Sequence, residues 1–208
     1  MITLTRLDRG EALRYMGSRA LNPDYMTNEL MNRAENDILK ICRPAYTFTE
    51  IPFDSIVLGG NNIKRVLKNS EKIIVIAATL GIYVDKLMRK TQVTDMAQAV
   101  VLDAMASVAV EQFMDKIEEE LKIRYSDYYF TNRFSPGYGD YPLDRQKEIV
   151  KLLNTEKKLG LSLTESLMLN PSKSVTAVIG LEKNPINNEE GCTSKCSKCN
   201  KKDCLYRR

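Results

Sequence analysis

An unbroken apolar run, Ile73-Ile74-Val75-Ile76-Ala77-Ala78, constrains the fold of this chain more than any other stretch. It reads as a strand, and because its positions are apolar in succession rather than in alternation, both faces have to be covered. The strand passes through Thr79 and Gly81 into a helix beginning near Tyr83. Strand, glycine turn and helix is an order that can cradle a phosphate, yet one glycine stands here where dinucleotide folds use three. Nucleotide binding at this turn is disfavoured on that ground.

Helices surround the run in sequence. Residues 9 to 17 read as a short one, capped by Asp8 and stopped by Gly17. A second follows Pro23, keeps Leu30, Met31, Ala34, Ile38 and Leu39 on one face, and ends before Pro44. Tyr46 and Phe48 alternate with threonines, so residues 45 to 51 predict a half-exposed strand; residues 61 to 69, after Gly59-Gly60, predict a helix. The longest helix, roughly thirty residues by the pattern, runs from Thr94 to about Ile123 with Ala97, Val101, Ala104, Met105, Val108 and Phe113 on its buried side. Asp103 and Glu111 fall on nearly one face of it, either as salt-bridge partners or as a site for a ligand's cation. Tyr125, Tyr128, Tyr129 and Phe130 follow, an aromatic cluster suited to packing or to stacking a flat ring.

The stretch from Asn132 to Gly180 has the organisation of a small-molecule site. It opens with Arg133, Pro136, Gly137 and Gly139, where side chains are small and backbone N–H groups are expected to face a ligand. Past Pro142 comes a helix signal, with Asp144 as cap and Ile149, Leu152 and Leu153 at the spacing of a buried stripe. The run Ser174-Val175-Thr176-Ala177-Val178 then alternates as a strand does.

Composition removes whole classes of chemistry. Histidine is absent, so no Ser–His or Cys–His pair, histidine general base or His-ligated zinc exists here. A formal charge of +4 on 208 residues predicts solubility rather than nucleic-acid binding. No apolar run approaches the ~18 residues that cross a bilayer, and MITLTRLDRG is too polar for a secretory signal, which predicts a cytoplasmic chain.

Cys192, Cys196, Cys199 and Cys204 are spaced C-x3-C-x2-C-x4-C at the end of the chain, with Cys42 the remaining cysteine. In a cytosolic chain, thiolates this close bind a metal more readily than they form disulfides, and both zinc and an iron–sulfur cluster suit the set. C-x3-C-x2-C also holds the cluster of radical S-adenosylmethionine (AdoMet) enzymes, but there it follows the first strand of a barrel, whereas here it ends the chain. A thiol-rich tail without metal is the plain alternative. The organisation expected is one domain over residues 1–186 and a Cys-rich tail over 187–208.

Arg133, Pro136, Gly137, Tyr138 and Pro142, followed by Leu152-Leu153, Glu156-Lys157, Gly160, Leu163-Thr164-Glu165-Ser166, Met168, Pro171 and Ser174-Val175, resemble the activation domain of cobalamin-dependent methionine synthase. The resemblance implies an α+β fold, a curved, mainly antiparallel sheet with flanking helices. It implies AdoMet as the methyl donor when inactive cob(II)alamin is reduced and remethylated, with the electron coming from a donor such as flavodoxin. Carried over by position, Arg133 would hold oxygens of the ligand, Phe134, Ser135, Pro136 and Gly137 would contact it through backbone, and Tyr138 would pack beside it. The family's acidic ligand residue on the long helix falls nearest Ser107, with Glu111 one turn later, and Pro142-Leu143-Asp144 stands where the family carries Pro-Asp-His.

No cobalamin-binding Asp-x-His-x-x-Gly is present, as the missing histidine guarantees. The expectation is therefore an AdoMet-binding reactivation subunit of a split methionine synthase, acting on a corrinoid protein that carries the cobalamin. The alternative is a docking adaptor for a corrinoid protein that does not bind AdoMet. An independent methyltransferase of the doubly wound kind is disfavoured by the missing glycine-rich loop.

Overall fold

The structure is a computed structural model that describes the chain apart from residues 1, 19–21, 54, 56, 57 and 185–208. It is α+β, in the order α1 (Arg9–Tyr15), α2 (Tyr25–Ile41), β1 (Ala45–Ile51), α3 (Asn61–Val66), β2 (Lys72–Thr79), α4 (Ile82–Thr94), α5 (Met96–Arg124) and β3 (Tyr129–Phe130). A 3-10 turn (Leu143–Arg145) then leads into α6 (Gln146–Leu153), α7 (Thr155–Leu159), β4 (Ser162–Leu163), β5 (Leu169–Asn170) and β6 (Ser174–Glu182). The chain divides into two compact units, Met1–Tyr46 with Ala78–Glu119 and Thr155–Val175, and Thr47–Ala77 with Glu120–Asn154 and Thr176–Arg208. Among the described residues no helix is long and apolar enough to cross a membrane.

In the first unit, local capping decides where helices begin. Asp8 accepts the Glu11 N–H at 3.0 Å and so starts α1 as its sequence position predicts. The buried positions of α2 are Met31, Ala34, Glu35 and Ile38. Glu35 earns its burial by accepting the Leu7 N–H at 2.7 Å and pairing with Arg9 at 2.8 Å, which ties the N-terminal segment to α2. The predicted long helix begins two residues late, because Asp95 takes extended backbone and caps α5 through the Gln98 N–H at 3.0 Å, leaving Thr94 as the last residue of α4. Val101, Ala104, Met105, Val108 and Phe113 are buried as expected, but Ala97, in the first turn, is exposed. Gly81, at φ +86°, gives its N–H to Thr79 Oγ1 at 3.0 Å, so the glycine amide of the strand–glycine–helix turn is bonded within the turn.

The second unit is built on a sheet of order β1-β2-β6-β3, mainly antiparallel with flanking helices, while β4 and β5, in the first unit, form a separate antiparallel pair. Ile73 to Ala78 are fully buried, which is what their unbroken apolar sequence requires. Each isoleucine and valine among them contributes roughly 1.5–3 kcal/mol by leaving water. Gln146 Oε1 accepts the Thr176 hydroxyl and holds the start of α6 to β6. Ile149 and Leu153 are buried beneath α6, whereas Leu152 is 43% exposed, so the apolar stripe is narrower than its spacing suggests. Asp144 does not cap α6: it lies in the 3-10 turn, Arg145 occupies the cap position without a side-chain cap bond, and Asp144 pairs with the Arg145 guanidinium at 3.7 Å. The helix after Gly59-Gly60 ends at Val66 rather than 69.

Gly180 shows how closely this unit is packed. A Cβ there would run into Ser70 Oγ and come within 2.8 Å of Leu67 Cδ2. Gly180→Ala is expected to destabilise the protein by about 1–3 kcal/mol through overpacking, read as a lower urea midpoint at an unchanged slope. An unchanged midpoint would show that Ser70 and Leu67 yield freely.

Candidate functional site

The loop after β3 hangs on a ladder to β6. Tyr129 pairs with Glu182 and Phe130 with Leu181, antiparallel. The Thr131 N–H donates to Gly180 O at 2.9 Å, and the Gly180 N–H donates to Thr131 Oγ1 at 2.8 Å. Further on, Phe134 and Val178 exchange both backbone bonds, at 3.0 and 2.8 Å. Two residues, Asn132 and Arg133, therefore stand opposite Ile179 alone, which is the arrangement of a β-bulge. A bulge re-aims side chains where a ladder is interrupted, and here the re-aimed pair includes Arg133.

Beyond the bulge the chain folds back on itself. The Gly137 N–H donates to Tyr141 O at 2.8 Å, the Tyr138 N–H to Ser135 O at 3.1 Å and the Tyr141 N–H to Tyr138 O at 2.9 Å. Gly137 and Gly139 adopt φ of +91° and +56°, conformations that cost a side-chain-bearing residue. These bonds correct one sequence expectation: the N–H groups of Phe134, Gly137 and Tyr138 face other parts of the protein, not a ligand. The Phe134, Ser135, Tyr138 and Tyr141 carbonyls accept bonds within the protein as well, so side chains are chiefly what the loop presents. Pro136 is buried, Arg133, Phe134 and Ser135 are half-buried, and Tyr138 is 66% exposed.

The inner side of the turn rests on Tyr141, which is 1% exposed and stacks on Phe134 with centroids 6.1 Å apart and planes 26° from parallel. Burial pushes its phenol far above the ordinary value, so the ring stays neutral. Next to it, Asp140 accepts the N–H groups of Asn61 at 2.8 Å and Asn62 at 2.9 Å. The Asn62 and Asn61 amides hold its carboxyl below the usual range, which keeps the anchor charged at neutral pH. Two glycines make room for the approach. A Cβ on Gly60 would lie 2.6 Å from Asp140 O, and one on Gly59 would lie 2.9 Å from Arg145 Nε.

Neither Asp140 nor Tyr141 was singled out from sequence. The adjacent Gly59-Gly60 pair was the available signal, since consecutive glycines mark a backbone that something approaches closely.

The remaining candidates belong to other elements. Glu111 is half-buried on α5 in the first unit. Ser107, one turn earlier, accepts a hydrogen bond from Lys173 Nζ at 2.8 Å, and Lys173 forms a 2.8 Å ion pair with Asp103. Asp103 is thus a salt-bridge partner. In the aromatic cluster at 125–130 three rings lie near cations: Lys183 Nζ is 4.0 Å and Lys72 Nζ 5.7 Å from the Tyr128 centroid, Arg124 is 5.8 Å from that of Tyr125 and Lys122 Nζ 5.9 Å from that of Phe130, while Tyr129 is exposed. Cys192, Cys196, Cys199 and Cys204 fall outside the described residues. Among those described, no group of His, Cys, Asp or Glu is placed to hold a metal.

Against known proteins, the family profile described as vitamin B12 dependent methionine synthase, activation domain, matches residues 63–186. That span contains β2, β3, the bulge, the turn and β6. Among solved structures, the MetH reactivation domain bound to AdoHcy is similar with a TM-score of 0.48 and 25% sequence identity, over 55% of this chain and 41% of that one. No curated protein matches the chain.

Proposed function

Since the chain belongs to the family of vitamin B12-dependent methionine synthase activation domains, we propose that it binds AdoMet through Arg133–Tyr138 and serves the reductive remethylation of inactive cob(II)alamin on a separate polypeptide. The observation that carries this reading is the bulged loop: an arginine re-aimed at Asn132–Arg133, followed by a turn held rigid from inside with an exposed tyrosine at its tip. A guanidinium offers a planar fork of donors that suits the ligand's carboxylate, and the Tyr138 ring offers an electron-rich face to a sulfonium cation. With the N–H groups of the turn and the Phe134 and Ser135 carbonyls bonded internally, Phe134 and Ser135 would contribute shape, and Pro136 and Gly137 shape and carbonyl oxygens. Glu111 enters the proposal on the resemblance alone, as a carboxylate for the cationic ligand.

The cobalt chemistry belongs to a partner. The chain has no histidine to ligate cobalt, and in this reading a cobalamin-binding methionine synthase or another corrinoid protein carries the cofactor. The electron comes from flavodoxin or a donor of that kind. Residues 1–186 would form the activation domain of a split, cytoplasmic methionine synthase, and 187–208 a tail whose four thiolates hold zinc or an iron–sulfur cluster.

Calorimetric titration with AdoMet tests the reading directly. The wild type is expected to release heat with a single site, and Arg133→Ala to weaken it about tenfold, near 1.4 kcal/mol. Absence of heat with the wild type would overturn it in favour of a docking adaptor. For the tail, metal analysis of anaerobically purified protein should find zinc or iron at about one site per chain, lost on Cys196→Ser. Metal-free wild type would remove that part of the proposal.

A further inference from the structure

We infer that Tyr141 is a positioning residue: its ring, stacked on Phe134, fixes the turn that carries Tyr138 and follows Arg133, and thereby sets how tightly the loop takes its ligand. The inference deepens the AdoMet reading and rests on it for the identity of the ligand, though not for the state of the turn.

The turn is exposed from Gly137 to Asp140, and such stretches are ordinarily mobile. This one is closed at both ends. At its start Phe134 is locked to Val178 by two backbone bonds. At its end Tyr141 is the buried aromatic anchor, and its own backbone closes the turn from both sides, its carbonyl taking the Gly137 N–H and its N–H going to Tyr138 O. The Phe134–Tyr141 stack joins the two ends. Withdraw the ring from its buried place and the backbone groups that close the turn move with it. The neighbouring Asp140 fixes the same stretch to Asn61 and Asn62, so an apolar and a polar anchor act side by side.

The consequence for binding is one of preorganisation. A ligand meeting a loop already in its bound shape does not have to order it, and affinity that would go into ordering is retained. Tyr141 therefore acts through Tyr138 and Arg133 without touching the ligand. Phe134 shares in that positioning through its ring, which is the other half of the stack on Tyr141.

Tyr141→Leu and Tyr141→Phe separate the possibilities, read by amide hydrogen exchange and by AdoMet titration of the full chain. With Leu the stack is lost. Exchange at the Gly137 and Tyr138 amides should then accelerate at least about tenfold while the Phe134 and Val178 amides stay within about twofold of wild type, and AdoMet affinity should fall about tenfold. With Phe the ring remains, and both readouts should stay within about threefold of wild type. Should Tyr141→Leu fail to fold, Phe134→Leu removes the same stack at a half-buried position and is expected to show the same pattern.

Wild-type exchange and affinity in the Leu variant would overturn the inference. So would equal damage from Phe, which would move the role to the hydroxyl, or exchange that opens at Phe134 and Val178 as much as at Gly137, which would make the residue merely structural. If the wild type binds no AdoMet, the functional proposal falls and the exchange pattern alone decides whether Tyr141 positions the turn.

Discussion

Strand β6 has to satisfy its backbone on both sides while almost wholly buried, and the candidate site follows from how it does so. From Thr176 to Glu182 every residue is buried, and a buried N–H or C=O without a partner costs about 1–3 kcal/mol. On one side β2 supplies the partners, and on the other they come from β3, from Thr131 and from the bridge at Phe134. The residue missing from a regular register between those two contacts is what bulges Asn132 and Arg133 outward. Gly180 lies in the same stretch, where a side chain would collide with Ser70 and Leu67. Register, bulge and close packing are one constraint seen at successive positions.

That constraint accounts for a loop that departs from the usual behaviour of loops. Functional segments are often mobile because few buried contacts hold them. Here the N–H groups of the turn are bonded internally, an aromatic stack lies beneath it and a carboxylate ties it to the start of α3. The chemistry asked of it is correspondingly modest. In the proposed reading, where a sulfonium ligand is held for chemistry that takes place on a partner's cobalt, this chain would contribute binding and orientation, and a loop held in place from inside suits those tasks.

Elements whose cause is local were legible in the sequence. Ile73 to Ala78 is a doubly buried strand because apolar residues in succession leave no face for water, and α1 begins at Asp8 because a cap acts over three residues. The fold class was legible through the motif that contains Arg133 and Tyr138. Local rules also failed where two of them competed. Asp95 interrupts an otherwise continuous helical pattern because its carboxylate caps α5, while Asp144, with the same side chain, is drawn to Arg145 and caps nothing. Leu152 keeps helical spacing yet stays exposed, since α6 is covered over a narrower arc than the spacing implies. What was not legible is non-local: Asp140 finds Asn61 and Asn62 from almost eighty residues away, and Tyr141 is an anchor only because Phe134 is held against it by β6. No periodicity carries that information.

The central claim is that the bulged loop between Thr131 and Tyr141 is where AdoMet binds. Hydrogen exchange of the full chain with and without saturating AdoMet reads this most directly, because it locates the ligand without any substitution. The account predicts added protection concentrated in the peptides spanning 131 to 145, with peptides of α1 and α2 unchanged. Protection confined to other segments, with 131 to 145 exchanging as in the ligand-free protein, would contradict it.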